Sequence, residues 1–184
     1  MGSKVFTKDK VLGRKKSPAR DLRQIMDDLR HIVRALRVSS RGTEKRLGIS
    51  GAQLFVLQRL AEARPVSLGQ LAERTHTDPS SVSVVVSRLV QRGLVLRAPS
   101  EEDARRAEVR LTSRGRALAK RAPEALQSRL VEALAGLPRE TRRGLADGLA
   151  ALVAGMKIGG SPRMFFEDDP SAHRKTKRPN RVDD

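Results

Sequence analysis

The side chains best able to do chemistry in this sequence are crowded into one stretch, "SEEDARRAEVRL", residues 100–111. Glu101, Glu102 and Asp103 are followed at once by Arg105 and Arg106. The pairs Glu101–Arg105 and Glu102–Arg106 have the i,i+4 order that supports a helix. The alternation Glu108, Val109, Arg110, Leu111 that follows suits a strand instead. The stretch is therefore either a salt-bridged helix or a loop whose arginines act on a partner. Elsewhere the chemistry is sparse. The three histidines, His31, His76 and His173, are scattered. Asp27 and His31 have the i,i+4 spacing of a metal pair, but a metal site needs three or four ligands, so a solvated helix face is the better reading. There is no phosphate-binding glycine loop and no nucleophile elbow. No enzyme, cofactor or metal is expected.

Composition narrows the partner. The 184 residues suffice for one domain with tails, and 38% hydrophobic content allows a core of modest size. Lys and Arg number 38 against 21 Asp and Glu, a net charge of +17, which favours a polyanion, most often nucleic acid. Solubility is the bland alternative for such a charge. The absence of Cys excludes disulfides, thiolate metal sites and cysteine redox sensing. No apolar run approaches the ~20 residues that span a bilayer. The N-terminus has no signal-peptide core and misses the myristoylation pattern at Phe6, so a soluble cytoplasmic protein without a membrane partner is expected. Trp and Tyr are absent and Phe occurs only at 6, 55, 165 and 166. RNA and single-strand readers stack bases on aromatic rings, so duplex DNA is favoured over an RNA-binding role.

These residues must be positioned by helices. Residues 1–17 form a basic tail and residues 159–184 a polar one, entered through Gly159-Gly160-Ser161-Pro162. Within the second tail, Met164, Phe165 and Phe166 are a small apolar cluster suited to docking on the body or on a partner. Between the tails, Ser17-Pro18 opens a long helix whose Leu22, Ile25, Met26, Leu29, Ile32, Val33 and Leu36 recur at three and four. Ser50 with Gln53 and Ser67 with Gln70 are capping boxes, each opening a further helix. Asp78-Pro79 starts another, carrying Val82, Val85, Val86 and Leu89 inward and ending at Gly93. Residues 94–98 and 107–111 are short strands. Thr112 and Ser113 start a long helix to about residue 135, bent by Pro123, and Pro138 opens the last. The expected order is α-α-α-α-β-β-α-α, a mainly α fold with long helices at both ends.

Two short helices, about 67–75 and 80–92, separated by a tight turn, form a helix-turn-helix, whose second helix is able to enter a major groove. Two strands with a charged loop between them follow directly, which makes the unit a winged helix. The stretch "SLGQLAERTHTDPSSVSVVVSRLVQRGLVLR" followed by "EEDARRAEVRLTSRGRAL" resembles the MarR family of bacterial transcriptional regulators, over about residues 18–157. The most specific part is Asp103, Arg105, Leu111, Thr112 and Gly115. The resemblance implies a homodimer in which helices of about 18–38 and 113–157 interlock. It also implies two winged lobes of about residues 50–112 on a pseudo-palindromic operator. A repressor of transcription is the leading expectation. A non-specific architectural or nucleoid-associated DNA-binding protein is the alternative.

With its inward stripe committed to packing, the second helix leaves Ser80, Ser81, Ser83, Val84, Ser87 and Arg88 to face DNA. Serines offer hydrogen bonds to phosphate and bases, Val84 an apolar surface for a thymine methyl, and Arg88 a bidentate contact to guanine. By the resemblance, Arg105 enters the minor groove, Asp103 orients it and Arg106 meets phosphate. Two positions depart from the family. His76 stands where glycine is usual in the turn, either tolerating a left-handed backbone or touching phosphate. Ala104 replaces a second wing arginine. The resemblance further allows a small-molecule effector in a cleft among the first, second and fifth helices, with residues not assignable by motif.

Charge lies mostly outside the winged unit. Residues 67–112 carry seven Arg and six acids, a balance of +1. Arg34, Arg37, Arg41, Lys45 and Arg46 against Glu44 give +4, and Arg114, Arg116, Lys120 and Arg121 another +4. Affinity is thus expected from flanking phosphate contacts, with register set by the helix and wing.

Overall fold

The computed structural model describes residues 18–62, 65–99, 107–160 and Met164. The chain divides into two compact units, residues 1–34 and 35–184. Helix α1 runs Pro18–Leu47. Its part in the first unit exposes Leu22, Ile25, Met26, Ile32 and Val33, so the amphipathic stripe legible in the sequence has no cover there.

In the second unit α1 ends at Gly48, whose φ of 70° turns the chain. Helix α2 (Gly51–Ala61) follows through the expected capping box: Gln53 N–H donates to Ser50 Oγ at 3.2 Å, and Ser50 N–H to Gln53 Oε1 at 3.1 Å. Leu54, Phe55, Val56, Leu57 and Leu60 are all buried, so α2 is the centre of the core. Around it pack α3 (Leu68–Thr75), α4 (Pro79–Gln91), α5 (Ser113–Arg121) and α6 (Leu126–Ala135). Helix α7 (Arg139–Gly155) buries none of its residues within the chain.

Strands β1 (Val66–Ser67), β2 (Val95–Pro99) and β3 (Ala107–Leu111) form an antiparallel sheet in the order β1-β3-β2. Val66 pairs with Val109, and Val95 with Leu111. The mainly helical winged architecture is as expected, with two differences in the element order. β1 was not anticipated, because two residues carry no periodicity. Pro123 breaks the predicted long helix rather than bending it. Ala122 before it is extended at ψ 144°, as steric conflict with the proline ring requires, and α5 stops there. Gln58 of α2 clips the break from below. Its Nε2 donates to Pro123 O at 3.0 Å and its Oε1 accepts from Ala125 N–H at 2.9 Å. Met164 of the predicted apolar cluster is buried with the core of this unit, while Phe165 and Phe166 lie outside the described residues. No described helix is long and apolar enough to cross a membrane.

Candidate nucleic-acid interface

The turn between α3 and α4 is built by local chemistry. α3 opens on the second expected capping box, with Gln70 N–H on Ser67 Oγ at 3.2 Å and Ser67 N–H on Gln70 Oε1 at 2.9 Å. It closes on His76, which adopts φ 50° and ψ 43°, the left-handed conformation a glycine would reach more cheaply. The N–H of His76 satisfies Glu73 O at 3.1 Å, and that of Thr77 satisfies Ala72 O at 3.0 Å. Buried Leu71 and Ala72 of α3 face buried Val82, Val85, Val86 and Leu89 of α4 in one cluster.

Asp78 caps α4. Its Oδ1 accepts from Ser81 N–H at 3.0 Å and from the Ser80 hydroxyl. The Ser80 hydroxyl, followed by the Ser81 N–H and hydroxyl, lowers the Asp78 pKa from 3.8 to about 2. The carboxylate is stabilised because every one of these donors favours its charged form.

The residues expected to face DNA separate into groups. Val84 is exposed at 46%, and Ser80 is exposed beside the cap. Ser83, Ser87 and Arg88 are half-buried. Ser81 corrects the expectation: only 5% of it is accessible, since it is turned inward in the first turn and spent on Asp78. Asp103, Arg105 and Arg106 lie outside the described residues, as do the two tails apart from Gly159, Gly160 and Met164. The strands flanking that loop pair up to Pro99 with Ala107 and form a two-stranded arm.

One contributor was missed by sequence reasoning. Arg97 of β2 reaches α4, and its Nη2 donates to Ser83 Oγ and Ser87 Oγ at 3.3 Å each and to Ser83 O at 3.4 Å. Strand period was the available signal, because Arg97 shares a pleat face with fully buried Val95. Asp27, which sequence spacing pairs with His31, accepts from Arg30 Nη1 at 2.7 Å on an exposed face of α1.

A pocket of about 550 Å³ lies among the end of α1, the residues leading into β2 and α5. Leu47, Ile49, Leu94 and Leu118 line it, with Arg92, Arg114 and Arg121. Arg92 is tied to the Gly48 carbonyl by its Nη1. Sequence reasoning found Arg114 and Arg121 only as part of a charge excess.

Comparison with known proteins gives a consistent picture. The sequence pattern of the MarR family matches residues 49–107. An uncharacterised HTH-type transcriptional regulator of Mycobacterium bovis is 38% identical over 108 residues, 57% of this chain and 76% of that protein. An HTH-type transcriptional repressor of Mycobacterium tuberculosis is 31% identical over 97 residues, 53% of this chain and 70% of that protein. The solved transcriptional regulator BldR of Sulfolobus solfataricus shares the fold, with a TM-score of 0.50 and 24% identity over 76% of this chain and 99% of that one.

Proposed function

We propose, from the premise that this chain belongs to the MarR family, that it represses transcription as a homodimer on a pseudo-palindromic operator. Membership makes it a DNA-binding transcriptional regulator; the dimer, the operator symmetry and the contact residues are the further reading. One observation carries that reading. Helix α4, capped by Asp78, exposes Ser80 and Val84, with Ser83, Ser87 and Arg88 half-buried along it, beside a paired two-stranded arm.

In the proposed complex α4 of each copy lies in a major groove, and the two grooves are one helical turn, about 34 Å, apart. Residues 100–106 enter the flanking minor groove, with Arg105 as the inserted side chain and Asp103 holding it. Arg106 meets phosphate. Val84 is the outward apolar group on α4 and suits a thymine methyl. The second copy covers the apolar stripes left exposed on α1 and α7. A chromosomal target places the protein in the cytoplasm.

The arginine-lined pocket is the place an effector would occupy. Three guanidinium groups beside Leu47 and Ala117 would suit a small organic anion, and about 550 Å³ is in the usual range for such ligands.

Selection of bound sequences from a random duplex library tests the operator reading. A symmetric motif is the expected result. A specificity ratio below about 10³ over random duplex, with no motif, would replace it with the architectural role. Repeating the selection with aryl and alkyl carboxylates tests the effector class.

A further inference from the structure

The contacts of Arg97 have a consequence for how the helix and wing are held on DNA. Strand period places Arg97 two residues beyond Val95 on the same face. At Val95 that face is sealed against the core. At Arg97 the core has run out, and the guanidinium lies over the middle of α4 instead. All three of its bonds come from Nη2 and are long, 3.3 to 3.4 Å against the usual ~2.9 Å. Nε and Nη1 make no hydrogen bond among the described residues. The group is held in place but keeps most of its donors.

Ser87 shows which partner serves which. Its hydroxyl proton goes to Ser83 O at 2.8 Å, and its oxygen accepts from Arg97. Both capacities are used inside the protein. Ser87 is thus committed to positioning a cation, and Arg97 supplies the donors at this edge of α4.

The location decides what those donors meet. A helix in the major groove and an arm in the adjacent minor groove straddle the one phosphate strand that separates the two grooves. Arg97 sits at the junction of helix and arm. We propose that Arg97 is a phosphate clamp: positioned on α4 by Ser83 and Ser87, it grips the strand between the two grooves and fixes the spacing of helix and wing. This rests on the reading of α4 and the wing as groove-entering elements.

The test compares the full-length wild type with Arg97→Gln, Arg97→Lys and Ser87→Ala by fluorescence anisotropy, on the selected operator and on random duplex, across salt concentrations. A phosphate contact predicts that Arg97→Gln weakens both duplexes by a similar factor, about tenfold, and lowers the salt slope by about 1. Arg97→Lys keeps the slope and loses part of the affinity. Ser87→Ala keeps the slope and loses a smaller part. An operator with a single neutral methylphosphonate at the clamped strand should weaken the wild type but not Arg97→Gln. Loss confined to the operator, or a changed base preference at one position, would make Arg97 a base reader and overturn the clamp. An unchanged slope in Arg97→Gln would also overturn it. Should that variant fold poorly, the methylphosphonate effect on the wild type and Ser87→Ala decides: equal sensitivity at every phosphate sinks the proposal. A wild type that shows no motif and no preference for the operator fails the parent reading instead.

Discussion

Gly115 lies directly against the backbone of Leu94: a Cβ built on Gly115 would stand 1.9 Å from the Leu94 carbonyl oxygen and 2.9 Å from its carbonyl carbon. That oxygen is already engaged, accepting from Thr112 N–H at 3.1 Å, and Thr112 Oγ1 both donates to Gly93 O and caps Gly115 N–H, each at 2.9 Å. The start of α5 is thereby pinned to the start of β2. Gly115→Ala must push two backbones apart, and overpacking against backbone costs about 3 kcal/mol or more. Thermal unfolding of the variant should show a large fall in Tm with weakened DNA binding at the working temperature. A Tm within a degree or two of the wild type would show that the junction yields freely.

His76 holds φ 50° at the centre of the helix-turn-helix, where an L-residue is strained by roughly 1–2 kcal/mol. His76→Gly removes the strain and adds backbone freedom to the unfolded chain, so the net expectation is a gain of up to about 1 kcal/mol. Chemical denaturation measures it. Operator affinity, determined on the same variant, separates the two roles open to this side chain. Unchanged affinity assigns it to the turn alone; a loss with a reduced salt slope assigns it to phosphate.

Acid stability should report on the cap of α4. The Ser80 hydroxyl, with the Ser81 N–H and hydroxyl, holds Asp78 at about 2, below its ordinary 3.8. A depressed carboxyl pKa stabilises the fold fully above the unfolded value and loses that contribution as pH falls through the folded one. The wild type's advantage over Asp78→Ala should therefore be constant above about pH 5 and shrink between about pH 4 and 2. Melting curves of both proteins across that range check it. An advantage that does not change over the interval would mean the carboxylate charge contributes nothing.

How much was legible follows from how local each signal is. Both capping boxes, the Asp78-Pro79 start and the positive-φ Gly93 end of α4 are written within four residues of sequence, and the structure has all of them. Pro123 was legible as an interruption, but that it ends α5 rather than bending it involves Gln58, 65 residues away, which bonds the backbone on the far side of the break. Ser81 points outward when α4 is treated as an isolated helix; packing of its first turn under the Asp78 cap turns it inward. Arg97 meets Ser83 and Ser87 across a strand and a helix: strand period gives the face it lies on, but not the helix that it meets there. The long apolar stripes of α1 and α7 were legible as stripes, but a single chain does not state what covers them.

The wing carries a prediction that rests on sequence alone. Arg105→Ala should weaken operator binding by at least about tenfold, the equivalent of one charge-assisted hydrogen bond of about 1.5–3 kcal/mol. Asp103→Ala should cost nearly as much, since a free arginine side chain must lose its rotamer entropy on entering a narrow groove. Neither should change Tm, because residues 100–106 join strands already paired from Val95 to Pro99. Anisotropy titrations with the selected operator measure both. Intact affinity in the two variants would remove the wing from the interface.

The exposed stripes give the clearest test of assembly. Leu22, Ile25, Met26, Ile32 and Val33 on α1 are between 41% and 63% accessible, and Leu145, Leu149, Leu152 and Val153 on α7 between 39% and 47%. Stripes of this length are rarely left wet in a soluble chain, because burying each side chain is worth about 1.5–3 kcal/mol. Ile25→Glu with Leu149→Glu places a charge in the middle of each stripe without touching the core around α2. Sedimentation equilibrium should give twice the chain mass for the wild type and the single-chain mass for the double variant. Its winged unit should remain folded by circular dichroism. Operator affinity should fall by about 10² or more, since the second half-site is no longer bound at high effective concentration. A wild type that sediments as one chain, or a double variant that stays dimeric with full operator affinity, would show that these stripes are not the dimer interface.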